Sequence, residues 1–451
     1  MAEISDEDIG HIVSSLNVED LKPQEQFEEV EPYSFILGKI FILARNLKIS
    51  PGIVDRISLN DKIIEIDVPV VLESKAGGKE LVKIFPGFWV EHNSVLGKYK
   101  GNVDYLSGLT MEKAKLNALN ATLQNSLLDL PFGGASGGVC VDKKILTPKE
   151  TERLAKNYAN SLRRAVGFDK NILSSGAGCD ERLMSIMYNL CKEMGKETKK
   201  SSFLGKQMQD GGIKARSNAV AAGIFNLINE ALKGMEVSGI PGLQKHEDII
   251  KKSQKEMNVV LIGFNAVEKE LAFLLSSAGY KLLAVSDALG GAASSTGVHA
   301  EDAARWQRNH TSVVGLPKTV KVTNEQMLQI KADVLILASD VRISRNSMGK
   351  IKAPLIVELL PAINPMIFEE LSKKRMIIPY ILTSSVSAYV DYLEFLQNQA
   401  DKYLERKEID KRIEEKSKEI FQVIYNTSRQ YAVNLHDASY ILALQNLARR
   451  V

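Results

Sequence analysis

The sequence predicts an α/β protein, with an N-terminal mixed α/β assembly followed by a doubly wound domain. Three observations carry this. Short apolar runs recur at 258–262, 281–285, 333–338, 354–359 and 376–382, with helical patterns between them. Strands that alternate with helices imply a parallel sheet covered on both faces, joined by right-handed crossovers. Two longer alternating segments lie near the start, and the chain of 451 residues has room for about two or three domains of ordinary size.

Residues 62–72, KIIEIDVPVVL, alternate apolar and polar and read as a strand, with LVKIFPGFWVE (81–91) as its partner and KAGGK as the turn between them. Residues 111–129 carry an apolar stripe at helical spacing. Thr147-Pro148-Lys149-Glu150 is a capping box with proline at the first helical position, which starts a helix running to about Arg164. Residues 217–235 read as a helix, and 238–256, with GIPG and a lysine-rich stretch, as a connector. NVVLI (258–262) meets Gly263 and a helix to Ala278. KLLAV (281–285) follows and ends at Ser286-Asp287. The remaining strands are DVLILA, PLIVEL and MIIPYIL. The C-terminal part is helical, and its charged stretch at 400–418 reads as a solvated face.

Composition excludes several classes. The 58 basic and 55 acidic residues leave a net charge of +3, which gives no footprint for nucleic acid. No run of about 18 apolar residues occurs, so no membrane span is expected. The start, MAEISDEDIG, lacks a basic, apolar signal pattern. Three cysteines without a CxxC pair fit a reducing cytoplasm. The six histidines form no metal spacing, and no metal is expected.

A strand, a glycine turn and a helix form the place where a Rossmann domain holds a dinucleotide pyrophosphate, because the helix N-terminus offers free N–H groups and partial positive charge. Here the turn is Gly263-Phe264-Asn265-Ala266-Val267-Glu268. Only the first glycine of the fingerprint is present. Asn265 adds a side chain where backbone must approach phosphate, and Glu268 adds a carboxylate. Asp287, 24 residues after Gly263, either accepts from a ribose hydroxyl or simply ends its strand.

Several collinear segments resemble the glutamate, leucine, phenylalanine and valine dehydrogenase family, nearest to its archaeal glutamate dehydrogenases. Pro131-Phe132-Gly133-Gly134-Ala135-Ser136-Gly137-Gly138 is similar to the hallmark PxGGAKGG, and His92-Asn93-Ser94 with Lys100-Gly101 to HNS…KGG. LGK and GGIKAR (204–206, 211–216), VSDALGG (285–291), YILTSSVSAYVDYLEFLQN (380–398) and LHDASYILAL (435–444) have counterparts too. The resemblance runs from about residue 50 to the C-terminus. It implies an N-terminal dimerisation and substrate domain (1–205), a Rossmann-like nucleotide domain (206–424), and a C-terminal helix (425–451) packing back on the first. It also implies oxidative deamination with NAD or NADP, and a hexamer.

The roles that the family assigns can be followed by position. Lys100 keeps a substrate-anchoring lysine. The second anchoring lysine falls at Gln124, the neighbouring arginine at Asp104, and the substrate-contacting serine at Asp391. The catalytic lysine falls at Ser136 and the proton-shuttling aspartate at about Gly176, with Asp180 as a substitute acid nearby. Ser384-Ser385-Val386-Ser387 replaces NAGG, Glu358-Leu359-Leu360-Pro361-Ala362-Ile363 replaces EGANGP, and Val220 replaces a cofactor-contacting threonine. Gly263, Asn265, Asp287 and Arg216 stand at the cofactor side.

A buried lysine can take a proton from water, whereas a serine hydroxyl cannot do so alone. Changes at catalytic, substrate and cofactor positions together point to a non-catalytic relative, a binding or regulatory subunit in a homo-oligomer or beside an active paralogue. The rival expectation is an active NAD(P)-dependent amino-acid dehydrogenase with a rewired site that uses Asp180, Asp104 or Asp391. A third is a ligand sensor without chemistry. The retained glycines at 133, 134, 137 and 138 are expected to serve tight turns.

Overall fold

The computed structural model describes residues 32–73, 81–166, 169–195, 198–236, 252–339 and 341–450. The expected KAGGK turn and most of the 238–256 connector lie outside them.

The N-terminal part begins with helices α1 (Pro32–Asn46) and α2 (Pro51–Ser58) and strands β1 (Lys62–Leu72), β2 (Leu81–Asn93) and β3 (Lys98–Leu106). Next come α3 (Met111–Leu127), β4 (Phe132–Cys140), α4 (Pro148–Val166), β5 (Asn171–Ser175), α5 (Glu181–Met194) and the short β6 (Phe203–Leu204). The sheet order is β1-β2-β4-β3-β5-β6, with β1, β2 and β4 antiparallel and β4, β3, β5 and β6 parallel. The capping box forms as its spacing predicts, since the Glu150 carboxylate accepts the Thr147 N–H at 2.7 Å and the Glu150 N–H reaches Thr147 Oγ1 at 3.3 Å.

The second part opens with α6 (Arg216–Glu236), β7 (Asn258–Ile262), α7 (Ala266–Ser277), β8 (Lys281–Asp287) and β9 (Gly290–Ala293). It continues through α8 (Ala300–His310), β10 (Val320–Val322), α9 (Asn324–Met327), β11 (Val334–Leu337), α10 (Arg345–Met348), β12 (Leu355–Glu358), α11 (Pro365–Ser372) and β13 (Met376–Ile378). The sheet runs β10-β9-β8-β7-β11-β12-β13, parallel from β8 to β13 with two antiparallel strands at one edge. Strands β7, β11, β12 and β13 are buried almost throughout, as strands covered on both faces must be. The chain closes with α12 (Tyr380–Ala400), α13 (Arg406–Tyr431) and α14 (Leu435–Ala448).

Two expectations are corrected. MIIPYIL is not one strand: it stops at Ile378, Pro379 takes the N-cap position, and Tyr380 opens α12. Proline cannot donate to a strand ladder but suits the entry to a helix. The glycines of FGGASGGVC do not make turns either. They lie in β4, between β2 and β3, because neighbours approach too closely for side chains. A Cβ at Gly134 would stand 2.0 Å from Thr122 Oγ1, and one at Gly137 2.1 Å from the Phe88 carbonyl oxygen.

The long helices tie the two parts together. Helix α14 packs on α3, where Ser126 Oγ donates to the Ala443 carbonyl at 2.7 Å and Asn446 Nδ2 to the Ser126 carbonyl at 2.9 Å. Residues 425–431 belong to α13, which packs along α6.

Candidate functional site

Strand β3 supplies one wall of the candidate site. Its alternation puts Lys100, Asn102 and Asp104 on one face. In the parallel register they sit beside Gly134, Ser136 and Gly138 of β4. Lys100, Asp104 and Ser136 are buried, while Asn102 between the first two is exposed. Helix α3 lies over this face through Asn117, whose Nδ2 donates to Asp104 Oδ2 at 3.2 Å, and Gln124, whose Nε2 donates to Ser384 Oγ on α12 at 2.7 Å. Ser136 Oγ donates to the Asn102 carbonyl at 3.4 Å.

Asp104 is the acid of this wall. Burial pushes its carboxyl up to about 6, against the hydrogen bonds from the Ala177 N–H and Asn117. Gly176 lies against it, and a Cβ there would stand 2.2 Å from Asp104 Oδ1. The two positions read from sequence as separate changes are therefore one packed pair. Asp180 is an exposed N-cap of α5: Oδ1 accepts the Leu183 N–H at 3.1 Å and Oδ2 lies 3.4 Å from Lys143 Nζ. That is the ordinary duty of an aspartate at a helix start.

The opposite wall is α12. Ser384, Ser387, Asp391 and Glu394 are spaced by three and four residues, so they share a face. The Asp391 carboxylate lies 2.7 Å from Lys100 Nζ and 2.6 Å from Arg216 Nη2. Glu394 lies 3.2 Å from Lys206 Nζ and accepts from the Gly205 N–H at 2.9 Å. Burial opposes charge on Asp391, but Arg216 and Lys100 outweigh it and hold the carboxyl below its ordinary value. Burial lowers Lys206, with Glu394 opposing. Arg216, expected on the cofactor side, thus has both its carboxylate partners on α12. Sequence reasoning did not foresee Glu394 as the hub beside Asp391, and the i, i+3 acid pair in an otherwise uncharged helix was its signal.

On the nucleotide side, Gly263 has φ +121°, and a Cβ there would meet the Ala338 carbonyl oxygen at 2.5 Å, so this glycine is required by conformation and space. Asn265 is the N-cap of α7, and its N–H donates to Glu268 Oε2 at 3.0 Å. The helix end that would receive a pyrophosphate already carries a carboxylate. At the end of β8, Asp287 Oδ1 accepts from the Leu289 N–H and Ser312 Oγ, both at 3.0 Å, and Oδ2 from Gln307 Nε2 at 3.1 Å and the Val313 N–H at 2.7 Å. Those four donors match the roughly four lone-pair sites of a carboxylate. As arranged, the turn and Asp287 do not fit a dinucleotide. Among the described residues no group of three His, Cys, Asp or Glu is placed to hold a metal ion, and no helix is long and apolar enough to cross a membrane.

A mixed sheet followed by a Rossmann-like parallel sheet, with buried ion pairs joining β3 and the start of α6 to α12, is the two-domain arrangement of the dehydrogenase class of fold. The chain belongs to the glutamate, leucine, phenylalanine and valine dehydrogenase family: residues 61–193 match the family's dimerisation domain and 211–451 its second domain. It is 28% identical over 416 residues to the NADP-specific glutamate dehydrogenase of Saccharolobus shibatae, covering 91% of this chain and 94% of that one. It is 27% identical over 406 residues to the NADP-specific glutamate dehydrogenase of Synechocystis sp., covering 87% and 90%. In fold it is similar to the hetero-hexameric glutamate dehydrogenase of Thermus thermophilus, with a TM-score of 0.81, 24% identity, and 92% and 96% of the two chains covered.

Proposed function

We propose that this chain is a glutamate dehydrogenase-like protein with impaired catalysis, acting as a binding or regulatory subunit in a homo-oligomer or beside an active paralogue. The observation that carries this reading is Glu268, whose carboxylate accepts the Asn265 N–H at the helix end where a dinucleotide phosphate would lie. A phosphate there meets like charge. Three further features support it. Asp287 is filled by donors from Leu289 and from Gln307, Ser312 and Val313 at the end of α8 and just after it. Ser136 stands at the lysine position, and Gly176 at the aspartate position carries no side chain. Loss of one positioned acid or base costs roughly 10²–10⁴-fold.

The hetero-hexameric Thermus thermophilus protein is a fold relative in which unlike chains assemble, which supports a partner chain here. In this reading residues 1–205 form the dimerisation and substrate domain and 206–424 the nucleotide domain, and the protein works in the cytoplasm. The test is to purify it and assay glutamate oxidation and 2-oxoglutarate amination with NAD and NADP. Turnover of about 1–10³ per second overturns the reading.

One observation favours a second reading, an active NAD(P)-dependent amino-acid dehydrogenase with a rewired site. Asp104, raised to about 6 and pressed against Gly176, is a proton carrier of suitable pKa for work near neutrality. Tight binding of NAD or NADP by calorimetry would select this reading.

A further inference from the structure

At the first turn of α14, His436 meets segments far apart in sequence. Lys39 reaches it from α1 of the N-terminal part and Phe368 from α11 of the Rossmann-like part, while Asp437 and Tyr440 belong to α14 itself. The imidazole lies against two rings, its centroid 4.6 Å from that of Phe368 and 4.6 Å from that of Tyr440. The His436 side chain is 14% exposed, and those of Asp437 and Lys39 are 17% and 18%.

The polar edge of the ring sets which charge state fits. Nδ1 lies 3.2 Å from Asp437 Oδ1 and 3.4 Å from Lys39 Nζ, and Lys39 is itself ion-paired with that same Oδ1. One cation already balances the carboxylate, and an ammonium can only donate, so the neutral ring accepts from Lys39. A proton on Nδ1 removes the acceptor and sets a second cation beside Lys39, with one carboxylate between them. Phe368 brings only a hydrocarbon ring, and Tyr440 a neutral one. Burial and Lys39 accordingly hold the imidazole down to about 4, with Asp437 opposing.

We propose that His436 is an acid-sensitive latch: neutral, it fastens α11 of the Rossmann-like part to α1 and α14, and protonated, it releases the first turn of α14 from α11. Once released, the ring returns to its ordinary value of 6.5. Opening therefore takes up a proton and is favoured as pH falls from 6.5 toward 4. Glu358 acts on Tyr440 from β12. Its carboxyl is held protonated by burial, so acid favours the closed form there and the two effects oppose each other. The latch is therefore read as a difference between proteins that share Glu358. The inference does not depend on whether the chain turns over.

The test is hydrogen exchange of the full chain by mass spectrometry, corrected for the intrinsic pH dependence of exchange. It compares wild type, His436→Phe and Lys39→Met between pH 6.5 and about pH 5. His436→Phe keeps a ring against Phe368 and takes up no proton. Acidification is expected to lower protection of α11 and the first turn of α14 about tenfold more in wild type than in His436→Phe. In Lys39→Met the imidazolium has Asp437 to itself, so the fall is expected to shrink to about threefold or less. If His436→Phe is recovered unfolded, the comparison of wild type with Lys39→Met decides. An equal pH response in wild type and the folded variants overturns the proposal. So does a fall in β11 as large as that in α11, which would mark general acid unfolding.

Discussion

The Asp104 carboxylate occupies the space that a side chain at Gly176 would need, with Oδ1 2.2 Å from the position of the missing Cβ. The same oxygen accepts the Ala177 N–H at 2.8 Å, so it is fixed where it lies. Gly176→Ala is therefore expected to cost about 1–3 kcal/mol. In an Asp104→Ser background the cost falls, with a coupling of at least about 0.5 kcal/mol. Part of it survives, because the Val103 carbonyl oxygen is also only 2.6 Å from that point. A double-mutant cycle in denaturant measures this. Strict additivity would show that the two residues do not interact.

Glu358 gives a pH signature. Burial raises its carboxyl from an ordinary value of 4.5 to about 7, against N–H groups of Ile363, Tyr380 and Ala362. Between those values the folded state holds a proton that the unfolded chain has released, so stability falls as pH rises across that window. The integrated loss is about 3 kcal/mol. Glu358→Gln should remove this component, which denaturation midpoints of both proteins between pH 4.5 and 7 would reveal. Parallel curves would refute it.

Gly134 is where β4 meets α3. A Cβ would lie 2.0 Å from Thr122 Oγ1, 2.4 Å from Thr122 N and 2.6 Å from the Ala118 carbonyl oxygen. Two of those are backbone atoms of a seated helix, so they cannot swing aside. Gly134→Ala should destabilise by about 3 kcal/mol, at the upper end for overpacking, while Gly349→Ala, with nothing within 4 Å, should not. Equal melting temperatures for the two variants would count against this packing.

Glu268 closes the α7 end by charge and by capping. Glu268→Gln keeps a capping side chain and removes the charge. Dinucleotide affinity is expected to rise at least about tenfold, well within the roughly 4 kcal/mol between two charges 4 Å apart near a protein surface. Calorimetry with NAD and NADP reads this, and unchanged affinity would place the obstacle elsewhere.

Much of the fold was legible because buried parallel strands leave a plain trace. NVVLI, KLLAV, DVLILA and PLIVEL are apolar on both faces, and each is a strand. Strand β3 was not legible. KYKGNVDYL turns Lys100, Asn102 and Asp104 to one face, where Lys100 meets α12 and Asp104 meets α3, so its composition is that of a site rather than of a core. Strand β4 hid for the opposite reason: its glycines remove the side chains by which a strand is recognised, and the need for them lies in Asn93, Phe88 and Thr122, far off in sequence. The pairing of Asp391 with Lys100 had no local signal at all. Resemblance placed both residues at substrate positions, but only the fold puts the carboxylate on the ammonium.

The seat of α14 on α3 has a consequence for synthesis. Ser126 donates to Ala443 across 317 residues. At about 5–20 residues per second of translation, the early helix waits roughly 15–60 s for its cover. Throughout that interval β4 can already pack on one side of α3, while the side that receives α14 lacks its cover on the nascent chain.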